Sequence, residues 1–408
     1  MRRTGSALFA AGLAVTIVTT AGCGSSSEAT ETAPPAPADL AALDVGNLRT
    51  DPKVYGKVTS LEQAKAVEAM RMGNYVALPM EIDPEVTVAP PAMSGAIRLF
   101  TDFGSTVIKG RMRADPSRLS ELTTGFISGF VSTGQSNVKG GLSYELDNVV
   151  MLFDTELDAR TAANVFADEE FGTDSENQPI ELGKYPSARA QVNPGSPGML
   201  QSWYAVGRFV IATYIYDNVM SALETADSAK LISRAETSID KISDSLKEYE
   251  PLRLDELMDS EIDMDGVLGL VLPTVTDDGA QRGIPGVYNR HGGLHLSGSP
   301  AEDAVLFEET GVDRIAWQGN FVHRARDEEA AQRIAEEHGK VSKFLRRVES
   351  PQGLPNAQCT EYVGPAVHAI KYYCTVSFGR YAAEVAASQL TDVHQRISAQ
   401  YAILAKSK

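Results

Sequence analysis

From Asn148 to Phe153 the chain is mostly apolar, and from Asp154 to Phe166 the apolar positions recur at three- and four-residue spacing. A short apolar run passing into a helical period predicts a buried strand that feeds a helix. The same step returns at Gly319–Arg324 and Arg326–Ile334, with Ala330-Ala331 standing 168 positions after Ala162-Ala163. Tyr185-Pro186-Ser-Ala188 matches Leu354-Pro355-Asn-Ala357 at an offset of 169. The stretch Trp203–Ile211, with Gly207 at its turn, matches Thr375–Ala383, with Gly379 at its turn, at an offset of 172. Both read as β-hairpins. Helical patterns close the two copies, from about Ser221 to Leu246 and from about Ser388 to Leu404.

Upstream, proline opens a helix in each copy. Asp115-Pro116 leads a run through Leu119, Leu122, Phe126, Ile127, Phe130 and Val131, which predicts a helix over 116–131 that is apolar on two sides. Ser299-Pro300 leads another through Leu306 and Phe307 to Gly311. The repeating unit therefore reads β-α-β-α-β-β-β-α. One extra helix precedes the first copy: Ser60 and Gln63 make a capping box, Ala64, Val67 and Met70 share a face, and Gly73 ends it. The fold class is α/β in the broad sense, more narrowly α+β. Two repeated domains are expected, 42–250 and 251–408, each a mostly antiparallel sheet covered by helices.

The chain opens differently. Arg2 and Arg3 precede the apolar stretch Ala7–Val18, and Thr20-Ala21-Gly22-Cys23 follows. That order is the order of an export signal. Its end resembles the lipobox of bacterial lipoproteins, with Thr20 where that pattern most often has Leu. The resemblance implies that residues 1–22 are a signal peptide and that Cys23 carries the lipid. The apolar stretch turns polar at Thr19, short of the about twenty residues that a membrane span requires. Residues 23–41, rich in Ser, Thr, Ala and Pro, read as a disordered tether. The expected location is extracytoplasmic, with the membrane reached through the lipid anchor.

Charge removes whole classes of partner. Against 37 Lys and Arg stand 54 Asp and Glu, a net charge of −17. Such a chain lacks the cationic surface that nucleic acid or an anionic bilayer demands. With Cys23 assigned to lipid, Cys359 and Cys374 remain, and an exported pair is expected to oxidise. Closing a loop of about fifteen residues contributes about 3 kcal/mol in the chain-entropy view.

Motifs for chemistry are sparse. Neither Gly-x-Ser-x-Gly nor a phosphate-binding glycine loop occurs, so neither nucleotide nor other cofactor is expected. Ser136-Asn-Val-Lys139 stands without the companion triplets of penicillin-interacting enzymes. Glu261, Asp263, Asp265 and Gly266 look like the first half of a calcium loop, but the twelfth position is Leu272 instead of an acid. A strand entering a turn explains them as well, and calcium binding there stays open. His291-Gly-Gly-Leu-His295 has metal-like spacing only on a helix, which two glycines disfavour; on a strand the rings stand about 13 Å apart. These are read as surface or interface histidines, and no metal is expected. For a ligand, the candidates are Phe126, Phe130 and Trp203, which offer an apolar wall, and the matched turn residues Arg208 and Arg380, which offer charge. Core packing is the plainer use of the aromatic residues.

Leu43-Asp-Val-Gly46, Gly286-Val-Tyr288, Leu294-His-Leu296, Gly311-Val-Asp313, Cys374–Val385 and Ala399-Gln-Tyr-Ala402 resemble a family of two-repeat lipoproteins of unknown function from mycolic-acid-bearing actinobacteria. That resemblance implies an envelope location and carries no catalytic residue. The cysteine-bearing hairpin followed by a terminal helix is also similar to the extracytoplasmic sensor domains of mycobacterial Ser/Thr kinases. The expected function is a non-enzymatic envelope lipoprotein that binds an envelope protein, lipid or glycolipid. A secreted hydrolase or wall-modifying enzyme without a recognisable motif is the alternative.

Overall fold

The computed structural model describes residues 38–89, 98–274, 285–364 and 370–407. The leader and Cys23 lie outside the described residues. In chain order the helices are α1 Leu61–Gly73, α2 Pro79–Ile82, α3 Thr106–Lys109, α4 Pro116–Leu122, α5 Glu156–Phe171, α6 Asn218–Ala222, α7 Ser228–Ser245, α8 Arg290–Leu294, α9 Pro300–Glu309, α10 Glu328–His338 and α11 Leu390–Ala405. One sheet holds β1 Leu99–Phe100, β2 Phe126–Gln135, β3 Tyr144–Phe153, β4 Gln178–Pro179, β5 Arg189–Asn193, β6 Ser196–Val206 and β7 Phe209–Asp217. The other holds β8 Gly286–Tyr288, β9 Arg314–Trp317, β10 Phe321–Arg324, β11 Leu345–Val348, β12 Gln358–Tyr362, β13 Tyr372–Phe378 and β14 Tyr381–Ala387.

Among the described residues both sheets have seven strands, all paired antiparallel, and the same order: β1-β2-β3-β7-β6-β5-β4 and β8-β9-β10-β14-β13-β12-β11. The protein is thus an α+β fold of two repeated domains. Register matches as well as order. Val150 faces Ile211 and Val322 faces Ala383; Trp203 faces Ala212 and Thr375 faces Glu384; Ala190 faces Ser202 and Cys359 faces Cys374. At the hairpin turns Gly207 and Gly379 take φ of +54° and +50°, a conformation open to glycine. The arginines that follow act alike: Arg208 Nε donates to the Phe153 carbonyl at 2.9 Å, and Arg380 Nε to the Ala325 carbonyl at 2.8 Å.

Two expectations are corrected. The unit has seven strands, not five: the predicted helix over 116–131 stops at Leu122 and the chain re-emerges as β2, and a further short strand, β4 in one copy and β11 in the other, follows the central helix. Thr123 caps α4 in an extended conformation, Gly125 turns the chain at φ +69°, and β2 is buried on both faces. A strand covered on both sides is apolar at successive positions, which also satisfies a helical spacing. The strand-to-helix offset is 172, not 168: Thr155 and Asp327 cap α5 and α10 through their side chains, and each helix begins at the next residue. A slip of four residues is about one helical turn and keeps the same face inward, so the apolar pattern does not reveal it.

Helices lie on both faces of each sheet. In the first domain α5 and α7 both pack on β6 and β7, and in the second α10 and α11 both pack on β13 and β14. The α7 and α11 faces of the two sheets belong to one continuous core. The α5 face and the α10 face carry separate cores. Helix α1 packs on β2 and on β8, so it serves both domains. Its Met70 Sδ accepts from Val287 N at 2.9 Å. Its buried Glu68 accepts from Tyr249 Oη at 2.6 Å and from Leu252 N at 2.7 Å, holding the connection between domains.

Ahead of α1, residues 38–53 run along the second domain. Ala38 N donates to Tyr401 Oη at 3.2 Å, and Lys406 pairs with Asp51 at 2.9 Å. The half-buried Arg49 donates to the carbonyls of Gly269 at 3.1 Å and Val271 at 2.6 Å.

Candidate functional site

On the α10 face of the second sheet the chain leaves a pocket of about 740 Å³. Trp317, Phe321, Phe344, Leu345, Ile370 and Tyr373 give it apolar walls, and Thr360, Thr375, His338 and Glu384 add polar groups. Volume and lining are those of a site for a small molecule. The equivalent face of the first domain carries a smaller pocket of about 160 Å³, against which Trp203 is packed. Trp203 holds the register position that Thr375 holds in the second domain. Thr375 instead turns its hydroxyl to the Ala335 carbonyl at 2.7 Å.

Behind the pocket four polar side chains converge from four elements. His338, the last residue of α10, hydrogen-bonds through Nδ1 to Glu384 of β14 and through Nε2 to Asp303 of α9 at 3.0 Å. His323 of β10, 4% exposed, turns Nδ1 toward Glu384 at 3.7 Å. Ser297 donates to the second oxygen of Asp303 at 2.6 Å. Phe307 lies against both imidazoles, at 5.3 Å and 6.1 Å between ring centres. Burial disfavours a charge on His338, but Glu384 and Asp303 outweigh it and hold the imidazolium well above its usual range. Burial likewise opposes the Glu384 carboxylate, and His338 overcomes this to keep it ionised well below the usual range. His323 is driven the other way, to about 4, by burial and then by the charge of His338, against the pull of Glu384.

The first domain builds the same positions from apolar residues. His323 corresponds in register to Met151 and Glu384 to Ala212. His338 and Phe166 are both eleventh in their helices, and Asp303 and Leu119 are both fourth in theirs. Met151, Ala212, Phe166 and Leu119 are all buried in one core. Of the four polar residues His323 and Asp303 sit in segments matched by sequence, Glu384 and His338 fall just beyond the ends of theirs, and no local spacing joins the set. The usable signal was a charged or ionisable residue wherever the other copy has core, which needs the 172 register.

The residues singled out from sequence do not gather at this pocket. Phe130 is buried in the core that the two domains share, against the rings of His295 and Tyr288, Trp203 is buried in the first domain's α5-face core, and Phe126 packs among Phe100, Phe103 and Phe153. Arg208 spends its remaining donors on the carbonyls of Pro251 at 3.2 Å and Leu252 at 3.1 Å, fixing the interdomain connection. Arg380 faces Asp313 at 3.9 Å. Cys359 and Cys374 are joined by a disulfide across the β12–β13 pair.

The half calcium loop is committed elsewhere. Asp263 accepts from Leu268 N and Gly269 N at 2.8 and 2.7 Å, and Asp265 pairs with Arg314 and Arg324 at 2.9 and 3.2 Å. Glu261 lies opposite Lys57 in an isolated bridge. Against the sequence expectation, His291 does sit in a short helix, α8, capped by Asn289. Its glycines are required by contact: a Cβ would stand 2.3 Å from Asn74 Oδ1 at Gly292 and 2.1 Å from Ile315 Cδ1 at Gly293. The histidines bridge the domains. His291 meets the Asn74 carbonyl at 3.1 Å and Glu81 at 3.0 Å, and His295 Nε2 meets the Val76 carbonyl at 2.9 Å. Burial, then the neighbouring His291, drives His295 down to about 3.

Two sheets of one topology, each covered by helices and one of them hollowed into a pocket, define a duplicated α+β protein. The chain belongs to the family described as domain of unknown function DUF7373: the family's N-terminal part matches residues 55–262 and its C-terminal part residues 267–407. Among solved structures, the extracellular domain of PknH from Mycobacterium tuberculosis aligns with 48% of this chain and 100% of its own, at 10% identity and a TM-score of 0.30. No curated relative matches the chain. Among the described residues no helix is long and apolar enough to cross a membrane.

Proposed function

We propose that the protein is a non-catalytic, extracytoplasmic binding module, lipid-anchored through Cys23, whose second domain takes up a small amphipathic molecule such as part of an envelope lipid or glycolipid. The observation that carries this reading is the asymmetry between the copies. At equivalent places the first domain is packed around Trp203 and the second keeps about 740 Å³ lined by aromatic residues over a polar set. A fold able to fill that space has left it open in one copy. Aromatic walls suit an apolar body, and the polar groups suit a headgroup.

Native mass spectrometry of protein purified from its own envelope tests it. The wild type is expected to carry a bound small molecule, and Thr375→Trp, which restores the residue of the first domain, is expected to lose it while melting cooperatively. A wild type free of bound mass, or one whose bound mass persists unchanged in Thr375→Trp, defeats the reading. Anchorage is checked separately: Cys23→Ala is expected to leave the membrane fraction.

A further inference from the structure

We infer that Nδ1 of His323, Nδ1 of His338 and the carboxylate of Glu384 form a binding site for a divalent transition-metal ion of the zinc type. One donor atom from each residue lies within 4.8 Å of the other two. Donors held at about 2.0–2.1 Å from a tetrahedral ion stand about 3.3–3.4 Å apart, and His323 Nδ1 is already 3.7 Å from Glu384 Oε1. His338 Nδ1 and Glu384 share a proton in a direct hydrogen bond. The ion takes the place of that proton as the carboxylate backs away by about an ångström.

Three independent features of the surroundings fit an ion. First, His323 is buried and its Nδ1, turned toward Glu384, has no hydrogen-bond partner. An unsatisfied buried nitrogen is costly, and coordination satisfies it. Second, Asp303 accepts from Nε2 of His338 at 3.0 Å and is itself held by the Ser297 hydroxyl at 2.6 Å. A carboxylate behind the imidazole fixes the tautomer that leaves Nδ1 free for a metal. Third, the fold does not call for these residues, since the first domain fills the same positions with Met151, Phe166, Ala212 and Leu119.

Two imidazoles and one carboxylate select zinc and its neighbours over calcium or magnesium, which take oxygen donors. His338 and Glu384 both line the pocket, so the remaining coordination position faces it. A water or the donor group of a bound molecule completes the shell there, as in zinc sites with three protein ligands. The ion site stands whether or not an organic molecule enters the pocket.

Tag-free protein, stripped with a chelator, is titrated with Zn²⁺ by calorimetry and with Co²⁺ by visible absorption. One equivalent of each is expected to bind, Co²⁺ with the d–d bands of a low-coordinate site. Asp303→Asn is expected to weaken binding about 10–100-fold and to keep the Co²⁺ spectrum. His338→Ala and Glu384→Gln are expected to weaken it further and to change or abolish that spectrum. Failure of the wild type to bind one equivalent overturns the inference without reference to any variant. So does one equivalent bound with unchanged affinity by the His323→Ala/His338→Ala double variant.

Discussion

His295 shows what a single residue contributes by being kept neutral. It is buried between the domains, donates to the Val76 carbonyl, and is faced by His291, Arg98 and Glu81. Its folded pKa of about 3 lies below the ordinary 6.5, so the unfolded chain takes up the proton first. Its contribution is therefore complete above about pH 6.5 and declines as pH falls toward 3. The decline between pH 7 and pH 5 comes to about 2 kcal/mol by linkage. Urea unfolding at the two pH values checks this, and His295→Gln should shrink the difference by about that amount, leaving the part that His323 and His338 set. At this scale the sequence was partly legible: His291 and His295 stood out as surface or interface histidines, of which the structure takes the second, but the cluster of Asp303, His323, His338 and Glu384 did not stand out. Its members come from α9, β10, α10 and β14, and only tertiary structure brings them together.

At the scale of elements, the two hairpins were legible because glycine turns and strand patterns are local, whereas the carbonyl partners of Arg208 and Arg380 come from distant segments and were not. Helix 116–131 was misread because a strand buried on both faces and a helix can share an apolar spacing, and only Gly125 and Gly129 hinted at the difference. The β12–β13 pair allows a clean experiment. Its disulfide joins positions that the first domain occupies with Ala190 and Ser202, paired in the same register without a covalent bond. Cys359→Ala/Cys374→Ser should therefore keep the fold, by far-UV and near-UV circular dichroism, and lose about 3 kcal/mol in denaturant unfolding. Loss of the native near-UV spectrum would show that the bridge organises the sheet as well as stabilising it.

At the scale of the molecule, duplication could be read from sequence, but the joining of the halves could not. The bonds that join them, such as Met70 to Val287 and Arg49 to Val271, link residues about two hundred positions apart and follow no motif. Arg49 donates to the Val271 carbonyl at 2.6 Å and shares the Gly269 carbonyl with Lys53 N, so Arg49→Ala should cost about 1–3 kcal/mol. Thermal unfolding of the full chain measures that loss, and an unchanged midpoint would assign the segment 38–53 a passive role. The position of that segment also orders events in time. Its partners Tyr401 and Lys406 leave the ribosome more than 350 residues after Ala38 and Asp51. The segment 38–53 thus cannot dock until the second domain has been made through α11, and this contact closes late, across a long stretch of chain.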